Sequence, residues 1–115
     1  MDKQQEVIAE CWKDKCMTIN GRDYVFTKFK HEQRRKVFAF LTSIVEQLEK
    51  RDMSFLDTAR FKEIEQIMCE RITLDDMQIS KIKDHWEEHP EDYLQFVTVG
   101  MQVIAHPFTA AVAGS

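Results

Sequence analysis

Apolar positions recur along the chain with two rhythms, and each predicts a different element. Between Asp2 and Lys15, the residues Val7, Ile8, Cys11 and Trp12 fall at helical spacing with charges on the other face, which predicts a short amphipathic helix. The run MTINGRDYVFTKF then changes period. Asn20-Gly21 separates two β-prone arms, and this pair suits the two left-handed positions of a type I′ turn, so a hairpin is expected. Met17 and Ile19 lead into it, and Tyr24, Phe26 and Phe29 carry the second arm. From His31 to Lys50, a stripe of Val37, Phe38, Leu41, Ile44, Val45 and Leu48 returns to the helical period and marks a central helix. Phe40 falls off that stripe and widens the apolar arc.

Asp57 is expected to cap the next helix, with Leu56 and Phe61 as a hydrophobic staple and Ser54 as a competing start; Phe61, Ile64, Met68 and Ile72 mark its buried face. Residues 73–83, TLDDMQISKIK, show no clear period and predict an irregular connection or a short extended piece. Asp84 then caps a single turn through Glu87, and Pro90 suits the first position of the last helix, whose stripe is Leu94, Val97, Met101 and Ile104. Gly100 predicts a close backbone approach, and His106-Pro107 predicts the stop. The pattern therefore describes a mainly α fold: one domain over 1–108 with about four helices and a short β-hairpin near the N-terminus, and a flexible tail over 109–115.

Composition narrows the function. The 115 residues are 43% hydrophobic and 31% charged, with few Gly and Pro, as in ordinary globular proteins. A net charge of −4 argues against a general affinity for nucleic acid or anionic lipid. Three cysteines are too few for a disulfide scaffold and point to a reducing compartment, the cytoplasm. No apolar run reaches the length that spans a bilayer, and the start lacks a signal-peptide core, so no membrane role is expected.

Several stretches carry candidate chemistry. His85-Trp86-Glu87-Glu88-His89 meets the H-x-x-E-H pattern, but Pro90 disfavours a helix at His89, so the imidazoles are expected on different faces and no metal site is expected. Cys11, Cys16 and Cys69 match no redox or zinc spacing and read as small hydrophobes; a Cys69 nucleophile with a histidine partner is the less favoured alternative. The segment 30–36, KHEQRRK, sums to +3 and opens a helix, against its dipole. It predicts an acidic partner or, in a second reading, a small nucleic-acid-binding regulator. Against that second reading, DHWEEHPED at 84–92 carries five acidic residues and no Lys or Arg. The two patches are candidates to face each other, within one chain or between copies. Phe38, Phe40 and Leu41 read first as core filling and, in the alternative, as an apolar contact surface, with Arg34, Arg35, Glu87 and Glu88 as orientation or self-association elements.

Two longer stretches, NGRDYVFTKFKHEQRRKVFAFLTSIVEQLE (20–49) and ISKIKDHWEEHPEDYLQFVTVGMQVIAHPF (79–108), together cover most of the chain. Their short hairpin before a central helix, WEEHPEDY entry and QVIAHPF ending resemble the small tail assembly chaperones of long-tailed, siphovirus-type bacteriophages. The resemblance implies a non-enzymatic role in virion morphogenesis, without cofactors, in the host bacterial cytoplasm. It implies binding of the helical, aggregation-prone tape measure protein, help in gathering major tail tube subunits around it, and absence from the mature virion. A longer form of the same protein made by programmed frameshifting is a further implied partner; a homo-oligomer is a candidate from the charged patches alone.

Overall fold

The first helix ends where the chain must turn into a strand. In the computed structural model, which describes residues 3–113, α1 (Lys3–Asp14) is followed by Lys15 in the left-handed conformation with φ 57°. The Lys15 carbonyl accepts the Phe26 amide at 2.8 Å, which closes the base of a hairpin formed by β1 (Cys16–Ile19) and β2 (Arg22–Phe26). Asn20 and Gly21 at its tip have φ 50° and 81°, positive at both turn positions as a type I′ turn requires. Met17, Ile19, Tyr24 and Phe26 all point into the core, as the alternation predicts. Asp2, the first residue of the expected helix, lies outside the described residues.

The central helix α2 spans His31–Glu49, and Gln33 Oε1 accepts the Lys30 amide at its start. Its buried face is rotated from the expected stripe: Val37, Phe40, Leu41 and Ile44 are buried, while Val45 is 43% exposed. Phe40 is 3% exposed and sits between Phe55 and Phe61, with ring centroids 6.0 and 5.8 Å away. Phe40 is therefore core filling, and its place off the stripe and its candidacy as a contact residue are corrected, because the Ser54–Asp57 3₁₀ turn brings Phe55 over that side of α2.

α3 (Ala59–Arg71) starts one residue later than expected. Its N-cap is Thr58, whose Oγ1 accepts the Phe61 amide at 3.2 Å, so Asp57 and Ser54 belong to the preceding turn. The unperiodic segment beyond it forms a second hairpin of β3 (Ile72–Leu74) and β4 (Met77–Gln78), turning at Asp75 and Asp76 with φ 53° and 66°. β3 pairs with β2, Tyr24 opposite Leu74 and Phe26 opposite Ile72, to give an antiparallel sheet in the order β1-β2-β3-β4. Two aspartates accept left-handed geometry more readily than most residues, which is what permits so tight a turn.

A 3₁₀ turn at Ile79–Lys81 leads to the single-turn helix α4 (His85–Glu88) and then to α5 (Pro90–Ala113), with Pro90 at its first position as expected. α5 is the backbone of the domain: it packs on α2 most extensively, then on α1, and buries Phe96, Val97, Met101, Val103, Ile104 and Ala105. The expected stop at His106-Pro107 is overturned. α5 continues through Pro107, because His106 meets Trp12 and Phe108 meets His31 and Phe38, contacts that hold the last turns despite the missing amide. The expected tail from 109 is thus helical to Ala113, and Gly114 and Ser115 lie outside the described residues. Leu94, expected on the core stripe, is instead 45% exposed. At Gly100 the space is filled by methionine side chains and no other backbone: a β-carbon there would stand 2.6 Å from Met68 Cε and 3.4 Å from Met17 Cε.

Candidate functional site

The two ends of α5 are built from opposite charge. At its N-terminal end, Asp92 is fully buried and lies in the first helical turn, where the helix dipole favours a carboxylate. It accepts from Asn20 Nδ2 at 2.7 Å, Arg22 Nη1 at 2.9 Å and Tyr24 Oη at 2.7 Å. Burial pushes its pKa up, but these hydrogen bonds and the Arg22 charge outweigh it and hold the carboxyl below its usual range. Tyr24 gives its single proton to Asp92, so its oxygen accepts from His85 Nε2 at 2.9 Å, which fixes the tautomer of a buried imidazole. Burial, and then the neighbouring His89, hold the His85 pKa below its usual value. Burial also raises the Tyr24 hydroxyl, so this cluster stays Asp⁻, Tyr–OH and neutral His near neutrality. Every group in it has a partner, and it ties the hairpin tip to α4 and α5.

The His85 and His89 rings lie 5.3 Å apart, closer than expected, because the His89 amide continues the α4 turn by donating to the His85 carbonyl at 2.9 Å. His85 Nε2 is nonetheless committed to Tyr24, and among the described residues no three His, Cys, Asp or Glu side chains gather as a metal site. Cys69 shares a cleft of about 290 Å³ with His85 and Trp86. Burial, with Glu65 beside it, pushes its thiol up to about 12, which suppresses the thiolate that nucleophilic attack needs.

At the other end the charges are open. A cavity of about 280 Å³ lies where the end of α1, the 27–30 loop, α2 and α5 meet, lined by Trp12, Lys15, Lys28 and Arg34 over an apolar floor that includes Phe29 and Ile104. Lys15 Nζ stands 3.3 Å from the centre of the Trp12 ring and the Arg34 guanidinium 4.8 Å from it, so two cations share one indole. Beside this cavity, Phe38 and Phe108 pack at 5.3 Å and His31 and Phe108 at 6.0 Å, all on side chains that remain partly or largely exposed.

The sequence-derived candidates divide accordingly. Phe38 and Arg34 fall at this open end, and Arg35 is exposed beside them; Leu41 and Phe40 are in the core and offer no surface. Glu87 and Glu88 are exposed at the opposite end. The sixteen residues from Asp92 to Phe108 rise about 24 Å along α5, so the basic and acidic patches do not face each other within one chain. Within 30–36, Lys36 alone meets acidic side chains among the described residues, Glu63 on α3 at 3.0 Å and Glu32 at 3.6 Å. Trp12, Lys15 and Phe108 were not legible as site residues. Trp12 and Lys15 depend on how α1 docks, and Phe108 on a helix that crosses a proline.

No helix among the described residues is long and apolar enough to cross a membrane. Compared with known protein families, curated proteins and solved structures, the chain matches none.

Proposed function

We propose that this chain is a non-enzymatic binding protein of the tail-assembly-chaperone kind. On this reading it shields an apolar helical segment of a phage tape measure protein in the host bacterial cytoplasm, releases it as tail tube subunits assemble, and is absent from the mature virion. The observation that carries the reading is the open end of α5. Phe38 and Phe108 present a partly exposed aromatic surface, bordered by Arg34 and Arg35, on the two helices that carry the sequence resemblance. Apolar surface edged by charge is the form taken by grooves that accept an amphipathic helix. The exposed charge elsewhere keeps such a complex in solution. The major tail tube protein and a longer form of the chain belong to the same proposal as later partners.

The test is co-expression with a tape measure fragment and recovery of the complex. Phe38→Asp should reduce recovery while the circular dichroism spectrum is unchanged, and Arg35→Glu should reduce it less. Unchanged recovery with both variants would reject this surface. A shifted DNA or RNA duplex at low salt that is lost in an Arg34→Ala, Arg35→Ala variant would instead favour a nucleic-acid regulator.

A further inference from the structure

The cavity at the open end has features that general binding of an apolar helix does not need. Three cationic side chains, Lys15, Lys28 and Arg34, line it, and no acidic residue does. Among the described residues none of the three is in an ion pair, in contrast to Arg22, Lys36 and Lys50, which all are. Arg34 Nε is buried with no hydrogen-bond partner, the one such side-chain atom among the described residues. Buried polar groups in folded proteins are nearly always satisfied, and here the protein itself supplies no acceptor to this guanidinium nitrogen, which leaves it for one that enters the cavity. Lys15 reaches the cavity from a left-handed backbone position, where glycine would be the easier residue. Its ammonium and the Arg34 guanidinium flank the same indole and repel each other, and the Lys15 pKa is lowered by desolvation and then by Arg34. An anion placed between them relieves both costs.

The floor narrows the choice of anion. Phe26, Phe29, Val103 and Ile104 are apolar, so a fully hydrated ion would leave that surface uncovered. We infer that this cavity is a receptor for a peptide carboxylate that adjoins an apolar side chain: the carboxylate meets Lys15, Lys28 and Arg34, and the apolar side chain covers the floor. Its volume holds about one residue, so it selects an anchor point and leaves the rest of a helix to Phe38 and Phe108. This deepens the proposed function by specifying an acidic residue beside an apolar one in the bound segment. It rests on that reading only for the source of the peptide.

The test is a ¹H–¹⁵N correlation titration of the whole chain with N-acetyl-leucine, its uncharged amide and inorganic phosphate as separate probes. N-acetyl-leucine should shift Trp12, Lys28, Phe29, Arg34 and Ile104 saturably, with the amide binding about tenfold or more weakly, since hydrogen bonds to charged groups contribute that much. Lys28→Gln lies on an exposed loop and Lys15→Gly suits the left-handed backbone, so both should fold and both should weaken the acid without affecting the amide. Equal binding of acid and amide overturns the inference, as does phosphate binding at these residues without N-acetyl-leucine, or no shift in this set with any probe. Binding of the acid here by a protein that recovers no tape measure fragment would uphold the receptor and reject the proposed function. Recovery without acid binding would do the reverse.

Discussion

The two ends of α5 handle charge in opposite ways. Near Pro90, Asp92 is enclosed and its oxygens are met by Asn20, Arg22 and Tyr24, with His85 completing the chain of hydrogen bonds. Near Phe108, Arg34 and Lys15 crowd one tryptophan, a guanidinium nitrogen has no acceptor, and aromatic rings stay partly exposed. A satisfied polar network in low dielectric rigidifies and specifies a fold, whereas an unsatisfied one stores free energy that a ligand can release. The first end is accordingly architecture and the second is the place where a partner gains most.

The largest effect should come from breaking the satisfied end. Asp92→Ala leaves the Arg22 charge, the Tyr24 hydroxyl and the Asn20 amide without their acceptor, and should destabilise the fold by about 3–5 kcal/mol in urea denaturation. A loss under about 1 kcal/mol would show that water replaces the carboxylate and that the network is not structural.

A smaller, pH-dependent effect separates the ends further. The unfolded chain takes up a proton on His85 near pH 6.5, while the folded chain resists until lower pH, so the unfolded state binds more protons in that window. Stability contributed by neutral His85 is therefore complete above about pH 6.5 and declines as the pH falls below it. The depressed Asp92 pKa adds a second loss only below about pH 4, as the pH falls through its folded value. Unfolding midpoints measured from pH 7 to pH 5 should fall for the native chain and stay level for His85→Gln. Parallel curves would place the proton uptake elsewhere.

The smallest effect is expected at the open end. Arg34→Gln gives up a cation–π contact but also removes the unpaired Nε, so stability should change by less than about 1 kcal/mol in either direction. A loss as large as that of Asp92→Ala would make Arg34 structural and erase the contrast between the ends.

Much of this contrast was hidden in the sequence for identifiable reasons. The Asn20-Gly21 hairpin, α2, and the start of α5 at Pro90 were legible because local rules of turn chemistry, periodicity and proline position decide them. The second hairpin was missed because Asp75-Asp76 is a weaker turn signal than Asn-Gly and its strands are only three and two residues long. Phe40 was misplaced because its cover, Phe55, comes from a 3₁₀ turn with no periodic signature. The end of α5 was misread because Trp12, His31 and Phe38 hold residues 106–108 in helix against the rule for proline. Arg34 was legible as part of a basic run, but its isolation from acidic partners depends on docking against Trp12, which only the tertiary structure specifies.

The most direct test of the account is a chemical-shift map of the ¹⁵N-labelled chain with an acidic, amphipathic helical segment from a tape measure protein. The perturbed residues should concentrate on Trp12, Lys15, residues 27–38 and residues 103–108, while Tyr24, His85 and Asp92 stay unmoved. Shifts centred on Glu87, Glu88 and the Asp92 network, with the open end silent, would contradict it.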